Sequence, residues 1–144
     1  MFGASLILVF GTTGFKAASP PQLHEVSISA TDYAFQLPAR INAGMTAFSF
    51  ENRGAMRHEM TLLLLKQNSS SDSAVKLLTG GAPLRNLVDG QVGLIVSGPH
   101  EIPGPKLLLD VKKGRTYFVV CNLKDAPDKP AHVTMGMFAK FVPD

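Results

Sequence analysis

The stretch from Leu23 to Thr31 alternates apolar and polar side chains, with Leu23, Val26 and Ile28 set against His24, Ser27 and Ser29. A period of two puts successive side chains on opposite faces, which is the pattern of a half-buried β-strand and not of a helix. Tyr33, Phe35 and Leu37 repeat it, and Pro38 followed by Asn42-Ala43-Gly44 ends it with turns. Thr46 to Glu51 is a third such run, broken by Asn52-Arg53-Gly54. Met56 to Lys66 reads as a long fourth strand, whose Leu62 to Leu65 run predicts burial on both faces.

The polar segment Gln67 to Asp72 reads as a loop. Asp72 or Ser73 is a candidate cap for a short helix through Leu78, which Gly80-Gly81 would stop. Ala82 to Pro105 carries little pattern beyond a candidate strand at Val92 to Val96 and a proline-rich loop from Ser97. Leu107 to Val111 and Arg115 to Cys121 are strands around a Lys113-Gly114 turn, and Met137 to Val142 closes the chain. Seven or eight short strands with turns at regular intervals, and one short helix in the middle, predict an all-β, Greek-key β-sandwich. The thirteen glycines and ten prolines in 144 residues fit short strands joined by turns. A hydrophobic content of 45% excludes disorder.

Ser5 to Phe10 is an apolar run followed by small residues, too short to span a membrane. Residues 1–18 are expected to be an export signal or an N-terminal anchor, the alternative being a buried first strand. Residues 19–144 are expected to form one domain, without a membrane span, in a periplasmic or extracellular compartment. The formal charge of +3, with no dense Lys/Arg block, gives no basis for nucleic-acid binding.

The chain has one cysteine, which cannot form an internal disulfide. In an exported protein such a residue calls for an intermolecular bond, a free thiol or a metal. Cys121 ends a strongly apolar strand, and the C-terminal end reads Cys-x10-His-x4-Met through His132 and Met137, with His58 far upstream after the Asn52-Arg53-Gly54 turn. Two imidazoles, one thiolate and a weak thioether are the donor set of a mononuclear copper centre. Plainer readings stand beside this one. His58 can be a surface residue at a strand start, Cys121 an inert buried thiol, and Met137 core packing. Met135 competes with Met137 for the axial position. His24 and His100 have no partner pattern and read as surface residues. Enzyme motifs are missing: no Gly-x-Ser-x-Gly, no phosphate-binding glycine loop, and no His-Glu-x-x-His, since Leu62 stands where His58-Glu59 would need a second histidine.

The stretches Phe48 to Met60, Lys112 to Cys121 and Pro130 to Phe138 resemble the cupredoxins, the blue copper proteins, and among them the uncharacterised bacterial cupredoxin-like proteins. That resemblance implies one copper ion held by His58, Cys121, His132 and Met137. It also implies single-electron transfer with a redox partner protein, no enzymatic activity, and a monomer. Copper storage or delivery, and a metal-free interaction module of the same fold, are the alternatives. Two positions depart from the family. Ten residues separate Cys121 from His132, more than in the electron carriers, and a longer loop costs more to close. Glu59 also follows His58 where those carriers commonly have Asn.

Overall fold

The computed structural model describes residues 22–144; the segment read as an export signal or anchor lies outside them. Eight strands form two four-stranded sheets. They are β1 (His24–Thr31), β2 (Ala34–Gln36), β3 (Gly44–Asn52), β4 (His58–Leu65), β5 (Val88–Ser97), β6 (Leu107–Val111), β7 (Tyr117–Val120) and β8 (Phe138–Phe141). One sheet has the order β2-β1-β3-β6, the other β5-β4-β7-β8. All pairings are antiparallel except β1 with β3. The expected all-β sandwich is therefore the observed one. No helix among the described residues is long and apolar enough to cross a membrane.

Between the sheets lies the main core, built from Val26, Ile28, Ala30, Phe48, Phe50, Met60, Leu62, Tyr117, Val119 and neighbours that include Cys121 and Met137. Alternation assigns these residues inward from each strand. The second sheet is covered on its outer face as well. There α1 (Ser71–Thr79) lays Ala74 and Leu78 over Leu65, Phe118, Val120 and Val133. This is why β7 is buried at every position and why four leucines run together in β4: odd and even residues each meet a core.

Local structure departs from the sequence reading in three places. β4 begins at His58 and not at Met56, because the Asn52 side chain holds residues 54–56 in a loop. Ser70 caps α1, accepting from Ser73 N–H at 3.2 Å, so the helix starts before the expected Asp72 or Ser73. β5 runs from Val88 to Ser97, twice as far as expected, with bulges against β4 at Leu62/Leu63 and Leu64/Leu65 that mask its period.

Tyr117 packs flat on Phe141, with ring centroids 5.1 Å apart, and its hydroxyl accepts the Lys112 N–H at 3.0 Å. Replacing it with Phe is expected to lower unfolding free energy by about 1 kcal/mol, the net worth of one such bond. Phe50→Ala is expected to cost about 3–5 kcal/mol, because Phe50 is fully buried and leaves a cavity. Urea or guanidinium unfolding measures both.

Candidate metal centre

At one end of the sandwich three side chains converge. His58 opens β4, Cys121 directly follows β7, and His132 opens a short 3-10 helix, His132–Met135. Their relative exposures are 0%, 0% and 1%. The two Nδ1 atoms stand 3.2 Å apart, and the Cys121 Sγ lies 3.3 Å from Nδ1 of His132 and 3.9 Å from that of His58. Among the described residues these three form a group whose donor atoms all lie within 4.8 Å of one another. A point in the plane of the three atoms is about 2 Å from each, the length of a metal–imidazole bond and near that of a metal–thiolate bond.

The hydrogen bonds behind the imidazoles decide what their inner nitrogens present. His58 Nε2 is 3.2 Å from Asp32 Oδ1, and His132 Nε2 is 2.8 Å from Asp125 Oδ1. A carboxylate accepts, so a neutral imidazole that bonds one through Nε2 leaves its Nδ1 with a lone pair. Two lone pairs then face each other at 3.2 Å beside a sulfur that carries at most one proton. A cation at the centre satisfies all three atoms, so the donor set fits a metal and the soft sulfur fits copper.

Short-range structure fixes each donor. Asn52 is 1% exposed; its amide donates to the carbonyls of Met56 and Gly98 and accepts the Gly54 N–H. Asp32 accepts the backbone N–H groups of Ala55 and Met56, so the turn before His58 is tied at both ends. Glu59 acts twice: its N–H points at the Cys121 sulfur at 3.4 Å, and its carboxylate accepts from both the backbone and the side chain of Asn122. The ten-residue interval after Cys121 is not slack. His132 N–H bonds Leu123 O, Val133 N–H bonds Cys121 O, and Cys121 N–H bonds Met137 O, pinning its two ends together.

Met137 is fully buried in the same core cluster as Cys121, while Met135 is 40% exposed on the 3-10 helix. His100 is exposed and His24 half-buried at the far end of β1, and neither joins the cluster. Sequence reasoning did not find Asp32, Tyr33 or Asp125. Asp32-Tyr33 is the two-residue turn between β1 and β2, and Tyr33 adopts a left-handed backbone (φ 66°) that is costly for any residue with a side chain. Its ring stands edge-on to His132 at 5.2 Å, and its hydroxyl donates to Asp125 Oδ2 at 2.7 Å. The available signal was an acidic residue in a tight turn between two alternating runs.

Electrostatics follow from these contacts. Burial pushes the His58 imidazole below its ordinary value against the pull of Asp32, and burial pushes the Cys121 thiol up. Desolvation raises Asp32, but hydrogen bonds from His58, Ala55 and Met56 outweigh it and hold the carboxyl below its usual range. Bonds from Tyr33 and then His132 lower Asp125, and the same bond to Asp125 raises the Tyr33 phenol.

Gly54 sits where a side chain has no room. A Cβ there would lie 2.3 Å from Asp32 Oδ1 and 3.0 Å from His58 Nε2. Gly54→Ala is expected to part Asp32 from His58 and to cost about 1–3 kcal/mol of stability, the usual effect of overpacking. Denaturant unfolding together with imidazole nitrogen NMR of His58 checks both consequences.

No family model matches the chain, and no curated protein matches it. Solved structures do. Dithionite-reduced auracyanin from the photosynthetic bacterium Roseiflexus castenholzii is 17% identical at a TM-score of 0.54, over 83% of this chain and 96% of that one. Auracyanin A, a "blue" copper protein from Chloroflexus aurantiacus, is 14% identical at 0.53, over 85% and 100%. Auracyanin B is 16% identical at 0.55, over 89% and 93%. At such identities the likeness is one of architecture: this chain has a cupredoxin-like fold.

Proposed function

We propose that this protein binds one copper ion through His58, Cys121 and His132, with Met137 as a weak axial donor, and carries single electrons in a periplasmic or extracellular compartment. The observation that carries the reading is the convergence of two imidazole Nδ1 atoms and one sulfur, all buried, at one end of a cupredoxin-fold sandwich. Copper in such a site supplies a one-electron couple, stabilised as Cu(I) by the thiolate and in both states by imidazole. The chain's part is to hold the donors still. Asn52 and Asp32 fix the turn before His58, Glu59 binds the segments after His58 and Cys121 together, and the backbone bonds of the Cys121–Met137 loop set His132. Fixed donors change little between oxidation states, which suits electron transfer.

Burial of the donors supports a carrier over both an enzyme and a delivery protein. A substrate or an accepting chaperone would have to reach the ion, and His58, Cys121 and His132 are at most 1% exposed. A surface pocket lined by Leu78, Leu84, Asn122 and Val133 flanks the site, but none of the three donors lines it. The apolar run in residues 1–18 supports export. A redox partner protein follows from the carrier role, and we propose a monomer.

One equivalent of Cu(II) is expected to give an intense visible absorption from a copper–thiolate bond, absent in Cys121→Ser. Copper at about 100 times its dissociation constant is expected to stabilise the fold by about 2.7 kcal/mol. A protein whose spectrum and melting temperature ignore copper would overturn the reading. Met137→Leu conserves volume and is expected to keep the band while raising the reduction potential, since an axial donor tunes it. Met135→Leu is expected to leave the potential where it was.

A further inference from the structure

Both imidazoles end on a carboxylate, and the two carboxylates come from opposite ends of the chain. Asp32 lies at the β1–β2 turn and Asp125 in the loop between Cys121 and His132. Tyr33 joins the two sides: its backbone belongs to the turn that carries Asp32, its hydroxyl holds Asp125, and its ring edge covers His132. Among the described residues neither carboxylate pairs with a lysine or arginine; the ion pairs that each makes are with its histidine. Two negative charges therefore stand behind the ligands without a neutralising cation. Tyr33 holds a left-handed backbone at that turn, a conformation that persists where the surroundings enforce it.

We propose that Asp32 and Asp125, joined through Tyr33, form an anionic outer clamp that sets both imidazoles as Nδ1 donors and biases the centre toward the more highly charged cupric ion. This rests on the copper reading above. A carboxylate that accepts from a ligating imidazole raises the basicity of the ligating nitrogen, and losing such a partner changes metal affinity by about 10–100-fold. Negative charge nearby favours the state of higher positive charge, so the loss falls more on Cu(II) than on Cu(I). The two sites are unequal. Asp125 lies closer to its imidazole than Asp32 does, 2.8 against 3.2 Å, and its side chain is less exposed, 25% against 39%. Asp125 is the stronger of the two positioning residues.

The test uses Asp125→Asn and Asp32→Asn, which keep the shape and an oxygen acceptor but remove the charge. Imidazole nitrogen NMR of the metal-free proteins reads the tautomers, and the reduction potential of the copper-loaded proteins reads the bias. In the wild type, both histidines are expected to carry the proton on Nε2. Asp125→Asn is expected to keep that tautomer and to lower the preference for Cu(II) over Cu(I) about tenfold, which for one electron raises the potential by about 59 mV. Asp32→Asn is expected to act in the same direction by less. Tyr33→Phe, which leaves both charges, is expected to move the potential less than Asp125→Asn. Unchanged potentials in both Asn variants, with copper and tautomers intact, would overturn the clamp and leave the copper reading standing. A wild-type protein that takes up no copper would remove the reading and the clamp with it. Nδ1 protonation of both histidines in the metal-free wild type would overturn the clamp whatever the metal result.

Discussion

Electron-pair donors packed side by side in a protein interior repel unless something positive lies between them. Water cannot screen His58, Cys121 and His132, because all three are buried. With the outer nitrogens facing Asp32 and Asp125, the one thiol proton of Cys121 serves a single neighbour and leaves the other lone pair without a partner. The cluster is therefore an arrangement that the rest of the molecule must enforce, and the details around it can be understood as the means of enforcement.

Those means are mostly short-range polar bonds and not packing. Asn52 spends its amide and its carbonyl on the backbone of two loops. Glu59 couples the residue after one donor to the residue after another. Gly54 is small so that Asp32 can reach His58. The hydrophobic cores do something different: they pack against β4 and β7 from both faces, and so hold the strand that starts at His58 and the strand that leads into Cys121.

Much of this architecture was legible in the residues, because alternation and turn chemistry act locally. The strands around Val26 and Phe48 follow from period two, those around Leu62 and Phe118 from unbroken apolar runs, and the leucine run of β4 foretold burial on both faces. The clustered residues His58, Cys121 and His132 were nameable because imidazole and thiol chemistry is rare enough to stand out. What was illegible depends on distance in sequence. Asp32 is one acid among eleven Asp and Glu residues until the fold sets it beside His58, and nothing local marks Asp125 as the partner of Tyr33. The β5 bulges hide a period that a regular strand would have displayed. The 3-10 helix at His132–Met135 is held by backbone bonds to Cys121 and Leu123, which no helical period announces.

The separation of these parts along the chain has a consequence for how the molecule is made. Cys121 lies 63 residues from His58, and Tyr33 lies 92 from the Asp125 it holds. A fragment that ends before His132 lacks a member of the cluster, and His58, Cys121 and His132 meet only through contacts distant in sequence. A nascent chain therefore offers a passing metal ion only scattered single ligands. Any selectivity of the cluster for a metal therefore belongs to the folded chain and not to its parts.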